Sequence, residues 1–328
     1  MDLSGHPLVK DADIIHLHWI NQGFLSLKDI EELVKLNKPI VWTMHDMWPC
    51  TGICHHARDC EKFQMGCESC FFLKSKGKDL STSVFDKKLS LYKEANITFV
   101  GCSRWLSGRA KKSYLLRDKT VLSIPNPIDT EVYHPMDQDM TRELLGLPSG
   151  KRLLLFGALN VTDKRKGIDY LIEALRKIEK QDVELVVFGQ VKDDIRGLFP
   201  VPIHSMGYLS DESKIVALYN AVDMFITSSL EENLPNTIME SMACGTPCVG
   251  FEIGGIPEMI DHKINGYIAS YKDASDLANG IQWVLEQDQL ALSDACVKKV
   301  QENYTEEVIV MKYLSLYQNI LYKNDGKL

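Results

Sequence analysis

Short apolar runs of strand length alternate along this chain with stretches in which apolar residues recur at helical spacing, the pattern of a parallel α/β sheet covered on both faces. In the first third the strand runs are Asp13–His18, Pro39–His45, Ile97–Cys102 and Thr120–Ile124. Between the first two, Leu27, Ile30, Leu33 and Val34 share one helix face, which makes a strand–helix–strand unit. Pro125-Asn126-Pro127-Ile128 then interrupts the pattern, because two prolines fix φ and hold the residues before them extended. Beyond this connector the runs Arg152–Ala158, Val183–Gly189, Ile203–Tyr208, Asp223–Ser228, Pro247–Phe251 and Gly266–Ser270 predict six more strands. Helical stretches such as Ile168–Glu179 separate them, and Ala274–Glu286 and Glu306–Tyr322 are helical by period.

The expected fold is therefore α/β, with two Rossmann-like, doubly wound domains. The first spans 1–126 and has four strand runs where a full domain of this kind has about six, so it reads as incomplete. The second spans 127–305, and a terminal helix over 306–328 is expected to pack back on the first. A length of 328 residues agrees with two domains at about 150 residues each.

Composition narrows this picture. The chain is 45% hydrophobic and 25% charged, which excludes wholesale disorder. Its formal net charge of −8 leaves no basic footprint for nucleic acid. No run approaches the ~18 apolar residues that span a bilayer, and Met1–Pro7 lacks the basic and then apolar regions of a leader. Cytoplasmic residence is expected, and the nine cysteines are then read in a reducing compartment.

The window Ser228-Ser229-Leu230-Glu231-Glu232-Asn233-Leu234-Pro235-Asn236-Thr237-Ile238-Met239-Glu240 carries the most chemistry. A strand ends near Ser228, Pro235 stands where a first-turn proline starts a helix, and Gly245 and Pro247 stop it. Open parallel sheets bind ligands at this carboxyl edge. Amides from Asn233 through Leu234 and Asn236 to Thr237 would face an anion such as a diphosphate, favoured by the helix dipole. Glu240, one turn into the helix, suits a ribose diol, and Glu232 suits other hydroxyls.

The Glu232-x7-Glu240 spacing, with its Asn-Leu-Pro-Asn and Cys-Gly-Thr-Pro flanks, resembles the signature of family-four retaining glycosyltransferases of the GT-B fold. The resemblance implies a donor-sugar contact for Glu232 and a nucleotide-ribose contact for Glu240. Phe156-Gly157-Ala158 followed by Lys164-Arg165-Lys166-Gly167 is similar to the first strand and loop of the family's nucleotide domain. Lys166 then matches the lysine that grips the donor diphosphate, and Gly157 lies in the donor loop. Ala158 stands where the family often carries Arg, and Lys164 or Arg165 would substitute. His45 ends its strand where the family places a His close to the transferring sugar, and His16 and His18, on one side of their strand, fall on the acceptor side.

Cys54, Cys60, Cys67 and Cys70 lie in a segment that resembles the cysteine-rich insertion at 50–70 of colanic-acid-type, exopolysaccharide-building members. Either a structural zinc or free thiols under a loop would account for them, and no cofactor is expected for catalysis itself. Ser103–Lys119 is expected to form a basic amphipathic helix able to rest on anionic lipid. The function implied is transfer of a hexose-type sugar, with retention, from a nucleoside diphosphate sugar to a polysaccharide or lipid-linked acceptor, at the inner face of the membrane. The alternative is a shortened remnant that binds nucleotide sugar and transfers nothing. A nicotinamide-dependent oxidoreductase would share the fold, but no G-x-G-x-x-G opens a helix.

Overall fold

The computed structural model describes residues 3–179, 182–190 and 197–325. Two compact units divide the chain. Met1–Pro125 with Val310–Leu328 form one, and Asn126–Ile309 form the other.

The first unit runs α1 (Pro7–Asp11), β1 (Ile15–Leu17), α2 (Leu27–Val34), β2 (Ile40–Met44), α3 (Leu80–Glu94), β3 (Ile97–Gly101), α4 (Arg104–Lys111) and β4 (Thr120–Ser123). Its four strands lie in the order β1-β2-β3-β4, all parallel, with Leu17 beside Trp42 and Trp42 beside Phe99. Local chemistry starts the helices: Ser26 and Asp29 close a capping box on α2, and Asp79 with Thr82 does the same for α3. Trp42, Tyr92 and Phe99 form the aromatic centre of this unit, with ring centroids 5.2–6.2 Å apart.

The segment Ser103–Lys119 departs from its expectation. Its helix ends at Lys111, and Leu106, Ala110, Leu115 and Leu116 are buried in the unit. The apolar side that would have entered a bilayer is already used to cover the sheet, and only the charged side faces water.

The second unit runs α5 (Gln138–Leu145), β5 (Arg152–Asn160), α6 (Ile168–Lys177), β6 (Val183–Gln190), β7 (Ile203–Gly207), α7 (Glu212–Ala221), β8 (Met224–Thr227), α8 (Asn236–Ala243), β9 (Cys248–Phe251), α9 (Ile256–Met259), β10 (Gly266–Ala269), α10 (Ala274–Glu286) and α11 (Gln289–Asn303). The last helix, α12, covers Glu306–Asp325. Six parallel strands lie in the order β10-β9-β8-β5-β6-β7. Leu154, Phe156, Leu185, Val187, Ile226 and Phe251 pack with Leu171, Leu175, Leu277 and Ile281 of α6 and α10. The order reverses between β5 and β8, so the loops leaving their carboxyl ends diverge and open a crevice there.

Candidate functional site

Two loops meet at that reversal. After β5, Asp163 accepts from the Arg165 amide and starts a tight turn over Lys164–Lys166 that closes on Gly167 at φ +66°. After β8, the chain from Ser228 to Pro235 returns alongside it. The Leu230 amide donates to the Arg165 carbonyl at 2.7 Å, and the Ser228 hydroxyl to the Lys166 carbonyl at 2.9 Å. A Cβ on Gly167 would lie 1.9 Å from the Ser228 carbonyl oxygen, so the two backbones touch only because no side chain stands between them. This contact brings the Lys166 ammonium to 2.5 Å from Glu232 Oε1. The carboxylate is mostly buried and the lysine partly exposed.

The other residues expected on the donor side are held around this pair. Gly254, at φ +59°, passes over Glu232, and the Gly255 amide donates to the Asn233 carbonyl at 2.5 Å. Asn233 and Leu234 are buried, whereas Asn236 is exposed and accepts from the Asn126 side chain at 3.2 Å. No side chain caps α8, whose amino end includes Asn236 and Thr237. The first amides of a helix have no intrahelical acceptor and carry its positive dipole end. Glu240 accepts from the Tyr219 hydroxyl at 2.8 Å; burial pushes its carboxyl up from the ordinary range, and that hydrogen bond opposes the shift. Arg165 is clamped on Asp163 at 2.6 Å and Lys164 is exposed, so Lys166 is the cation of this turn that reaches Glu232. The space beside Gly157 is filled by the Phe188 ring.

The first unit gathers His16, His18 and His45. Parallel pairing of β1 with β2 sets the two strand ends side by side, with His18 Nδ1 3.3 Å from His45 Nε2 and the His16 and His18 centroids 4.2 Å apart. Burial, then the neighbouring His18 and His45, hold the His16 pKa down at about 4. Burial likewise lowers His18 and His45, so all three rings are neutral near pH 7. Asp46, next in the chain, is drawn up by burial, but bonds from His55 (2.7 Å), the Trp48 amide (2.7 Å) and Trp19 (3.0 Å) outweigh this and keep it ionised.

Several of these partners escaped the sequence reading. Tyr317 bonds His16 Nδ1 at 2.7 Å, and Tyr313 bonds Thr43, which in turn bonds His16 Nε2 at 2.8 Å. Their spacing on one face of α12 was the available signal. Lys88 was another, a lysine at a core position between Phe85 and Tyr92 on α3. It is fully buried and donates to the carbonyls of Trp48 (2.6 Å), Thr51 (3.0 Å) and Gly52 (3.1 Å), fixing the loop that follows His45.

Among the described residues no three His, Cys, Asp or Glu side chains are gathered to hold a metal ion. Cys54, Cys60, Cys67 and Cys70 are half-buried free thiols. Cys67 Sγ accepts from the Gly52 amide at 3.2 Å, and burial pushes this thiol up to about 11. A hollow of about 540 Å³ bordered by Arg142, Arg152 and Asp223 lies at the amino edge of the second sheet, away from the crevice. Its charges are spent on structure: Asp223 accepts from Arg142, Arg152 and the Leu153 amide.

Residues 150–287, which include both loops, match the family described as Glycosyl transferases group 1. The putative colanic acid biosynthesis glycosyl transferase WcaC of Escherichia coli K12 is 22% identical over 324 residues, 96% of this chain and 77% of that protein. The N-acetyl-alpha-D-glucosaminyl L-malate synthase of Bacillus anthracis is 26% identical over 211 residues, 62% of this chain and 55% of its own length. The matched part of the chain thus spans about half the length of that relative. The solved structure of Anabaena Alr3699/HepE in complex with UDP superposes with a TM-score of 0.73 over 95% of this chain and 80% of that one, at 16% identity. This likeness, beside the two parallel sheets, establishes the GT-B fold. No described helix is long and apolar enough to cross a membrane.

Proposed function

We propose that this chain is a family-four-type retaining glycosyltransferase. It moves a hexose-type sugar from a nucleoside diphosphate sugar to a saccharide or lipid-linked acceptor of exopolysaccharide assembly, at the cytoplasmic face of the membrane. One observation carries the reading: a lysine from the loop after β5 and a glutamate from the loop after β8 meet at 2.5 Å where the strand order reverses. Bond cleavage at the anomeric carbon leaves negative charge on the diphosphate and positive charge on the sugar. Lys166 and the uncapped amides of α8 would stabilise the departing diphosphate. Glu232, beside Lys166, would accept from donor-sugar hydroxyls, and Glu240 from the ribose diol. His18 Nδ1 and His45 Nε2 bond one another, so His18 Nε2 and His45 Nδ1 would be the nitrogens that meet sugar hydroxyls on the acceptor side, and burial favours the neutral form of both rings. The solved HepE complex makes UDP the first nucleotide to try.

The test is transfer measured with a panel of UDP-sugars, alongside UDP-induced thermal shift. Lys166→Met and Glu232→Gln should each lower transfer by about a hundred-fold or more while the circular dichroism spectrum stays unchanged. Wild-type turnover in both variants would sink the assignment.

A further inference from the structure

The cysteine-rich segment of the first unit presents an unusual surface. Phe71, Phe72 and Leu73 stand 47%, 44% and 39% exposed in succession, and Met65 nearby is 84% exposed. Lys74, Lys76 and Lys78 follow, all exposed, and no acidic residue interrupts the stretch 71–78. Monomeric proteins seldom leave consecutive aromatic and aliphatic side chains in water without a partner for them. The loop has not been left loose, because its base is pinned. Ser69 and Gly77 exchange two hydrogen bonds of 2.8 Å, and Asp79 accepts from the Cys70 amide and from Ser75. Lys62 binds the Glu68 and Ser69 carbonyls, and the Arg58 guanidinium lies 5.8 and 5.4 Å from the Phe71 and Phe72 ring centres. An apolar tip is thus held outward and followed at once by three cations.

We propose that residues 71–78 form the membrane-docking surface of this protein, with Phe71, Phe72 and Leu73 entering the interface of an anionic bilayer and Lys74, Lys76 and Lys78 pairing with lipid phosphates. Charge decides the occupant. The chain as a whole carries −8, so it is repelled by an anionic surface except where positive charge is concentrated. An apolar tip beside lysines matches the layering of a headgroup region over acyl chains. The surface also replaces Ser103–Lys119, whose apolar side is buried, as the place of lipid contact. The inference rests on the lipid-linked acceptor of the proposed function only for its use, since binding is measured without donor or acceptor.

The experiment is co-sedimentation of the full chain with vesicles of phosphatidylglycerol and phosphatidylcholine in equal parts, and of phosphatidylcholine alone, at low and high salt. Wild type should sediment with the anionic vesicles, weakly with the neutral ones, and be released by salt. Replacing Lys74, Lys76 and Lys78 together by Gln should weaken partition about a hundred-fold, and Phe71→Ser with Phe72→Ser at least about ten-fold. Replacing the three lysines by Arg should preserve binding, and all variants should keep the wild-type melting temperature and UDP shift. Wild type left in the supernatant with anionic vesicles, equal binding to neutral ones, or Gln and Ser variants that bind like wild type would each overturn the proposal. An unchanged UDP shift in the same samples separates that failure from a failure of the transferase reading.

Discussion

Gly167→Ala probes the loop contact on which the proposed donor site depends. At φ +66° an alanine sits in the left-handed region, at a cost of about 1 kcal/mol. Its Cβ would stand 1.9 Å from the Ser228 carbonyl oxygen, roughly 1.5 Å short of ordinary contact. That oxygen is backbone at the end of a central strand, so the turn over Lys164–Lys166 must move instead, straining the bonds from Leu230 to Arg165 and from Ser228 to Lys166. Together these effects should destabilise the second unit by about 3 kcal/mol, lowering its melting temperature by about 6–12 °C. The displacement also carries Lys166 away from Glu232 by about an ångström, enough to cost about a hundred-fold in transfer. Urea unfolding and the UDP-sugar assay read the two effects separately. Gly108→Ala is the control: Gly108 lies within α4 with open space around its Cα, so alanine there should be neutral or slightly stabilising. If Gly167→Ala kept the wild-type urea midpoint and turnover, the close approach of the two loops would be refuted.

Two further perturbations address the first unit. Lys88→Met should cost about 3 kcal/mol, because three buried carbonyls lose their donor, an amine whose pKa burial pulls down to about 7; a urea midpoint equal to wild type would show that the loop after His45 is held by other means. His16 has a folded pKa of about 4, below the ordinary 6.5. The stability it contributes is therefore complete above pH 6.5 and is lost as the pH falls toward 4, since protonation is easier in the unfolded chain. Allowing for partial solvent screening, this loss is about 1–2 kcal/mol. His16→Gln should flatten that part of the urea-midpoint profile, and an unchanged slope would remove His16 as its cause.

Much of the architecture was legible because parallel strands and their helices have short periods. Arg152–Ala158 and Asp223–Ser228 announce themselves as buried runs whatever surrounds them, and Pro235 with Gly245 marks the ends of α8 by backbone chemistry alone. The spacing of Glu232 and Glu240 on a loop and the following helix is equally local. The same local reading misjudged Ser103–Lys119, where periodicity reported an apolar side but not whether lipid or sheet covers it. It also passed over Lys88, because a lysine on a helix is ordinarily solvated and only its three carbonyl acceptors make burial tolerable.

By itself, then, the sequence determined the kind and order of elements and the chemical types offered at their ends, since these follow from φ preferences and apolar spacing within about a dozen residues. Tertiary structure alone decided which distant groups meet. Lys166 and Glu232 are 66 positions apart and become partners because β5 and β8 are neighbours at the point where strand order reverses. His16 and Tyr317 lie 301 positions apart and are joined because α12 returns to the first unit. No local pattern encodes such pairings; they are set by which arrangement of sheets and helices buries the apolar faces together.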